Sequence, residues 1–200
     1  MKPGPPGQPD ARADVDDLTL RRAQRGDALA LRRLLETHLG TLHALVWRLA
    51  GPARRADVDD LVQDSLIRIV GALPRFDPAG PARLSTWMLT IATRVVLNAA
   101  RRPLPGALPD EDAGGDPDLL PSAQLERRQL GAALAAAVAA LPADQRAVLV
   151  LRDYHDLDYT EIAAALELEL GTVKSRLCRA RQAVRAELER RLPECVGGAR

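Results

Sequence analysis

Hydrophobic positions recur with helical spacing along most of the chain. From residue 16 to 51, Leu18, Leu20, Leu29, Leu31, Leu34, Leu35, Leu39, Leu42, Leu45, Val46 and Leu49 supply apolar faces. Gly26-Asp27 marks a break between two helices, and Gly51-Pro52 ends the second. Residues 57–70 form a third helix whose core face is Val58, Leu61, Val62, Leu66 and Ile69. After a Pro- and Gly-rich break from 71 to 81, a fourth helix runs from about 84 to 102, with Leu84, Trp87, Met88, Ile91 and Val95 inward. Helical pattern resumes near 122, with Leu130, Leu134, Val138 and Leu141 on one face, and Pro142 opens a further helix.

The stretch 159–185 splits into a short helix, a tight turn and a long helix. Asp158 caps the first, with Glu161 three residues on to close a capping box. Ile162, Ala163 and Leu166 are its apolar face. In the second, Val173, Leu177, Ala180, Val184 and Leu188 make one buried stripe. Its other side carries Lys174, Arg176, Arg179, Arg181 and Arg185, with Ser175 and Cys178 among them. Two helices around a short turn, the second basic on its free face, describe a helix-turn-helix.

Composition sharpens this picture. Five aromatic residues in 200 and few β-branched ones leave Ala and Leu to build the cores, which predicts an all-α chain. Net charge is only +1, so the seven Lys and Arg between 171 and 191, against Glu187 and Glu189, are a local excess suited to DNA. Residues 103–121 are rich in Pro and Gly and carry Asp110, Glu111, Asp112, Asp116 and Asp118; they read as a flexible acidic linker. The expected organisation is a disordered tail at 1–15, a first domain at 16–102, the linker, a second domain at 122–191 and a tail at 192–200. No apolar run is long enough to span a bilayer, and the start lacks the apolar core of a secretory signal. A cytoplasmic protein without membrane insertion is expected.

Candidate chemistry is polar recognition rather than catalysis. Asp57, Asp60 and Asp64 fall at i, i+3 and i+7 beside Gln63, an acidic face suited to a protein partner. Arg83, Thr86, Thr90, Arg94 and Arg101 lie on one side of the fourth helix with no acid among them, next to a loop bearing Arg75 and Phe76. That arrangement suits a nucleic-acid backbone and an unstacked base. His38 and His43 read as incidental, and His155 among Asp153, Asp156 and Asp158 as turn chemistry before a cap. Cys178 and Cys195 are too few for a disulfide framework or a metal site. No cofactor and no catalytic group is expected.

Four segments carry a resemblance: DVDDLVQDSLIRIVGALPRFDP at 57–78, STWMLTIATRVVLN at 85–98, LPADQRAVLVLRDYHDLDYTEIA at 141–163 and GTVKSRLCRAR at 171–181. In this order and spacing the chain resembles an extracytoplasmic-function sigma factor of the primary bacterial sigma family. The resemblance implies that the helix at 57–69 docks on the clamp of core RNA polymerase, with Asp57, Asp60, Leu61, Gln63 and Asp64 in the contact. It implies that Arg75, Phe76, Arg83, Thr90, Arg94 and Arg101 melt and read the minus-ten promoter element. Thr172, Lys174, Ser175, Arg176, Cys178, Arg179, Arg181 and Arg185 would meet the minus-thirty-five element, and an anti-sigma factor would hold the protein in check. Two departures stand out. Glu167 and Glu169 occupy turn positions where the family often has Gly and Pro, and Arg94 stands where an Asn often holds a flipped base. The competing reading is a helix-turn-helix regulator that never recruits polymerase, which would keep the basic helix but have no use for the acidic face at 57–64.

Overall fold

The computed structural model describes residues 15–102 and 122–192, with side chains from residue 129 onward in the second segment. The expected N-terminal tail, the acidic linker at 103–121 and Cys195 lie outside the described residues.

Every regular element among the described residues is helical. Helix α1 (Asp17–Gln24) is capped by Asp16, whose carboxylate accepts from the Thr19 amide and hydroxyl at 2.8 and 2.7 Å. Gly26, at φ +87°, turns the chain into Asp27, which caps α2 (Ala28–Ala50) through the Leu29 and Ala30 amides. Gly51, at φ +68° and ψ −179°, a region open to glycine alone, ends α2 where the Gly-Pro break predicted. A 3-10 turn leads to α3 (Val58–Ala72), and a second one to the loop before α4 (Leu84–Ala100). Long α2 is the centre of this half, with α1, α3 and α4 packed around it. Leu34, Leu42, Leu45, Val46, Ile69 and Met88 are fully buried there.

In the second half, α5 (Ser122–Ala139) precedes α6 (Ala143–Leu149), which runs on through a π turn at Val150–Tyr154. The helix-turn-helix follows as α7 (Tyr159–Leu166) and α8 (Leu170–Arg191). The capping box is present: Glu161 N–H donates to Asp158, and Asp158 N–H donates to Glu161, both at 2.8 Å. The stripe on α8 behaves as its spacing predicts, with Val173, Leu177 and Ala180 buried and Val184 and Leu188 half-buried. Val138 of α5 and Leu141 just after it are buried, but Leu130 is 49% exposed.

The two halves meet. Helix α4 packs along α7 and α6, α2 meets α5, and the buried side chains of both halves form one continuous cluster. This decides the fate of the fourth helix. Thr86, expected on its open polar side, is only 8% exposed, since α7 covers that side.

Candidate nucleic-acid and polymerase interfaces

Helix α8 presents its cations unevenly. Lys174, Cys178, Arg179 and Arg185 are exposed, and Thr172 and Ser175 are half-buried at its first turn. Ser175 Oγ donates to the Thr172 carbonyl at 3.0 Å and receives a weak bond from Arg179 at 3.4 Å. Arg176 pairs with Asp144 of α6 at 3.3 Å. Arg181 makes a two-pronged bond to Asp153, at 3.2 and 2.5 Å, and this carboxylate raises the guanidinium's pKa. Arg185 pairs with Glu189 one turn on, at 2.8 Å, in an exposed setting that weakens the pair. Lys174 makes no ion pair or hydrogen bond within the described residues, and Arg179 makes only its single weak bond to Ser175. The first turns of α8 therefore carry the free charge that can reach base edges, while Arg176 and Arg181 are committed to positioning α8 on α6 and on the π turn.

The acidic face of α3 divides in the same way. Asp60, Gln63 and Asp64 are exposed and make no ion pair or hydrogen bond within the described residues. Asp57 ends the 3-10 turn and is half-buried against Arg54 at 2.9 Å. Leu61, expected at the contact, is 6% exposed and packs into the core with Val58 and Val62. Leu61 borders the acidic side of the helix and turns its apolar side chain toward the core, while Asp60 and Asp64 stay in solvent. Asp59 lies 3.6 Å from His43 of α2, so that histidine faces the acidic helix.

Phe76, expected to meet an unstacked base, is 9% exposed, with its ring 5.0 Å from that of Trp87. Gln24 of α1 fixes the backbone here, donating to the carbonyls of Leu73 at 3.1 Å and Phe76 at 2.7 Å. One of the few aromatic residues is worth more in the core than in solvent. Arg75, Arg83 and Arg101 remain exposed, and Thr90 is half-buried with its hydroxyl donated to the Thr86 carbonyl. Arg94 turns to α7, donating to the carbonyls of Ala165 and Ala164 at 3.0 and 3.2 Å and pairing with Glu167 at 3.1 Å.

Glu167 closes α7 at φ 56°, ψ 49°, in the left-handed conformation. Sequence reasoning missed the partners Asp144, Asp153 and Glu161, which reach their arginines or Thr86 only through the tertiary fold. It also read His155 as turn chemistry. That residue is 7% exposed, neither ring nitrogen finds a partner among the described residues, and burial followed by the nearby Arg48 pulls its pKa to about 4. Among the described residues no three His, Cys, Asp or Glu side chains converge as metal ligands, and no helix is long and apolar enough to cross a membrane.

An all-α chain with a helix-turn-helix at one end and a free acidic helix at the other belongs to the class of proteins that join DNA to a protein partner. Family comparison gives the class its name. Residues 34–103 match "Sigma-70 region 2" and residues 131–184 match "Sigma-70, region 4". The chain is 34% identical to the ECF RNA polymerase sigma factor SigC of Mycobacterium tuberculosis, over 78% of this chain and 84% of that protein. It is 31% identical to the RNA polymerase sigma-H factor of Pseudomonas aeruginosa, over 90% and 97% respectively. It is 33% identical to the ECF sigma factor SigE of Mycolicibacterium smegmatis, over 83% of this chain, and spans 64% of that longer protein. This chain belongs to the extracytoplasmic-function sigma factors of the sigma-70 family. Among solved structures it is similar to CnrH, in complex with the cytosolic domain of CnrY, with a TM-score of 0.59 and 27% identity over 90% of this chain and 98% of that one. RpoE of Bartonella quintana, in complex with the anti-sigma factor NepR, shares the fold at a TM-score of 0.59 and 23% identity over 80% of this chain and 96% of that one.

Proposed function

We propose that this sigma factor binds core RNA polymerase through the exposed Asp60, Gln63 and Asp64 of α3 and selects promoters through the open face of α8. The observation that carries the reading is the presence of both faces on one chain. A regulator that only binds DNA needs the cations of α8, but it has no use for three uncommitted polar side chains on the far helix. On α8, Lys174 in the first turn reads base edges, Arg179 and Arg185 hold phosphates, and Cys178 lies between them. Arg75, Arg83, Thr90, Arg94 and Arg101 contact the minus-ten strand once α4 is free of α7. The protein works where polymerase and chromosome are, in the cytoplasm, and needs no cofactor because it acts by binding alone. An anti-sigma factor holds it inactive; CnrH, a structural relative, was solved with the cytosolic domain of another protein on it.

Adding the purified chain to core polymerase and assaying run-off transcription from a promoter library tests this. Promoter-selective transcripts with core enzyme alone are expected. Transcripts that require a holoenzyme already carrying another sigma factor would favour the regulator reading instead.

A further inference from the structure

The interface between the halves contains a set of polar contacts that use up the DNA-facing side of α4. The last carbonyls of a helix lack partners within it and carry the negative end of its dipole. In α7 two of these, on Ala164 and Ala165, are taken by the Arg94 guanidinium, which also reaches the Glu167 carboxylate. Two turns earlier on α4, Thr86 Oγ1 donates to Glu161 Oε1 at 3.2 Å. The other oxygen of Glu161 accepts from the Asp158 amide, so a single carboxylate both caps α7 and grips α4. Arg83 and Arg101 flank this contact, Arg83 beside His155 and Glu161, Arg101 beside Leu166, Leu168 and Arg176. The first turn of α8 stays open, with Lys174, Cys178 and Arg179 exposed.

The same interface contains an opposing element. Arg146 of α6 is 9% exposed, and its Nε and Nη1 have no hydrogen-bond acceptor among the described residues. Its guanidinium lies against Gly51 at the end of α2, so close that a Cβ there would sit 1.8 Å from Nη1. Arg55 adds a like charge nearby. A buried cation without a counter-charge is costly. Parting the halves rehydrates it, so closure is opposed by a built-in destabilising term.

Building on the sigma-factor reading, we propose that the chain closes on itself without any partner, that Arg94 is the latch, and that Arg146 keeps the closed state easy to open. The closed form occupies Thr86 and Arg94 of the minus-ten reader and leaves the first turn of the minus-thirty-five reader open. Arg94 cannot hold the end of α7 and a DNA strand at once, so promoter melting and closure compete for one side chain.

The test uses the full chain with Cys178→Ser and Cys195→Ser, carrying a dye pair at the exposed positions Arg68→Cys and Gln182→Cys, read by single-molecule energy transfer. The parent, with its Arg94 latch intact, should show one dominant narrow population. Arg94→Glu should raise the population with greater dye separation at least tenfold, and Glu167→Arg should raise it severalfold. The double variant, which restores an ion pair of reversed sense, should fall between wild type and Arg94→Glu. Arg146→Met should move the balance the other way and narrow the closed population. Unchanged helicity in circular dichroism identifies variants that remain folded, and Arg94→Gln serves if Arg94→Glu does not. Identical transfer distributions for wild type and a folded Arg94 variant would overturn the proposal. Run-off transcription by wild type with core polymerase reports the sigma-factor reading separately, since a latch can fail while that activity survives.

Discussion

Replacing His155 should remove a defined part of the protein's acid sensitivity. The imidazole is buried where the π turn meets α7, with no partner for either nitrogen among the described residues. Burial is the main force lowering its pKa from 6.5 to about 4, and Arg48 of α2 adds to it. Arg83 of α4 faces the same space, and Asp156, Asp158 and Glu161 line it with the opposite charge, yet the balance still disfavours the cation. The folded protein therefore holds His155 neutral, while the unfolded chain takes up a proton as pH falls through about 6.5. Stability from this group is complete above that pH and is lost progressively down to about 4. Linkage puts the loss at about 2 kcal/mol by pH 5 and about 3 kcal/mol at its limit. Urea unfolding followed by circular dichroism at pH 7.5, 6.5, 5.5 and 5.0 measures it. His155→Gln and His155→Leu will differ from wild type in absolute stability, but their curves against pH should be flatter over this range. Parallel pH dependence in wild type and both variants would refute the reasoning, because a neutral buried imidazole must contribute this slope.

Reversing Asp60 and Asp64 together to Arg should abolish retention on core polymerase without altering the thermal melt, whereas Leu61→Ala should cost about 2–5 kcal/mol of stability through the cavity it leaves. Wild-type pull-down by the double variant would show that this face of α3 is not the contact. Lys174→Ala should relax preference at one or two promoter positions, worth about 1–3 kcal/mol, while Arg185→Ala should weaken all sequences alike and flatten the salt dependence. A panel of promoter variants separates the two outcomes, and equal losses on every variant would make Lys174 a phosphate contact. Glu167→Gly should raise stability to urea by about 0.5–1 kcal/mol, because glycine relieves the left-handed backbone while the exposed pair with Arg94 contributes little to folding. A loss of stability instead would mean that the Arg94 contact outweighs the strain.

Local physics was legible in the sequence. Asp158 caps α7, Gly26-Asp27 and Gly51-Pro52 break the helices, and the α8 stripe is buried at its first three positions, because capping and helical periodicity act within a few residues. Side chains whose fate depends on distant partners were not legible. Arg181 and Asp153 stand 28 residues apart, and Arg94 and Ala165 stand 71 apart, so no local pattern announces either contact. Leu61 is buried where its spacing placed it, on the core face of α3, whereas the burial of Phe76 in a loop had no periodicity to announce it. Composition and spacing determined that this chain would be helical, basic at one end and acidic on one face of its third helix. Only the tertiary structure decided which of those charges stay free, because a guanidinium is committed by whichever carbonyl or carboxylate the packed helices bring within about 3 Å.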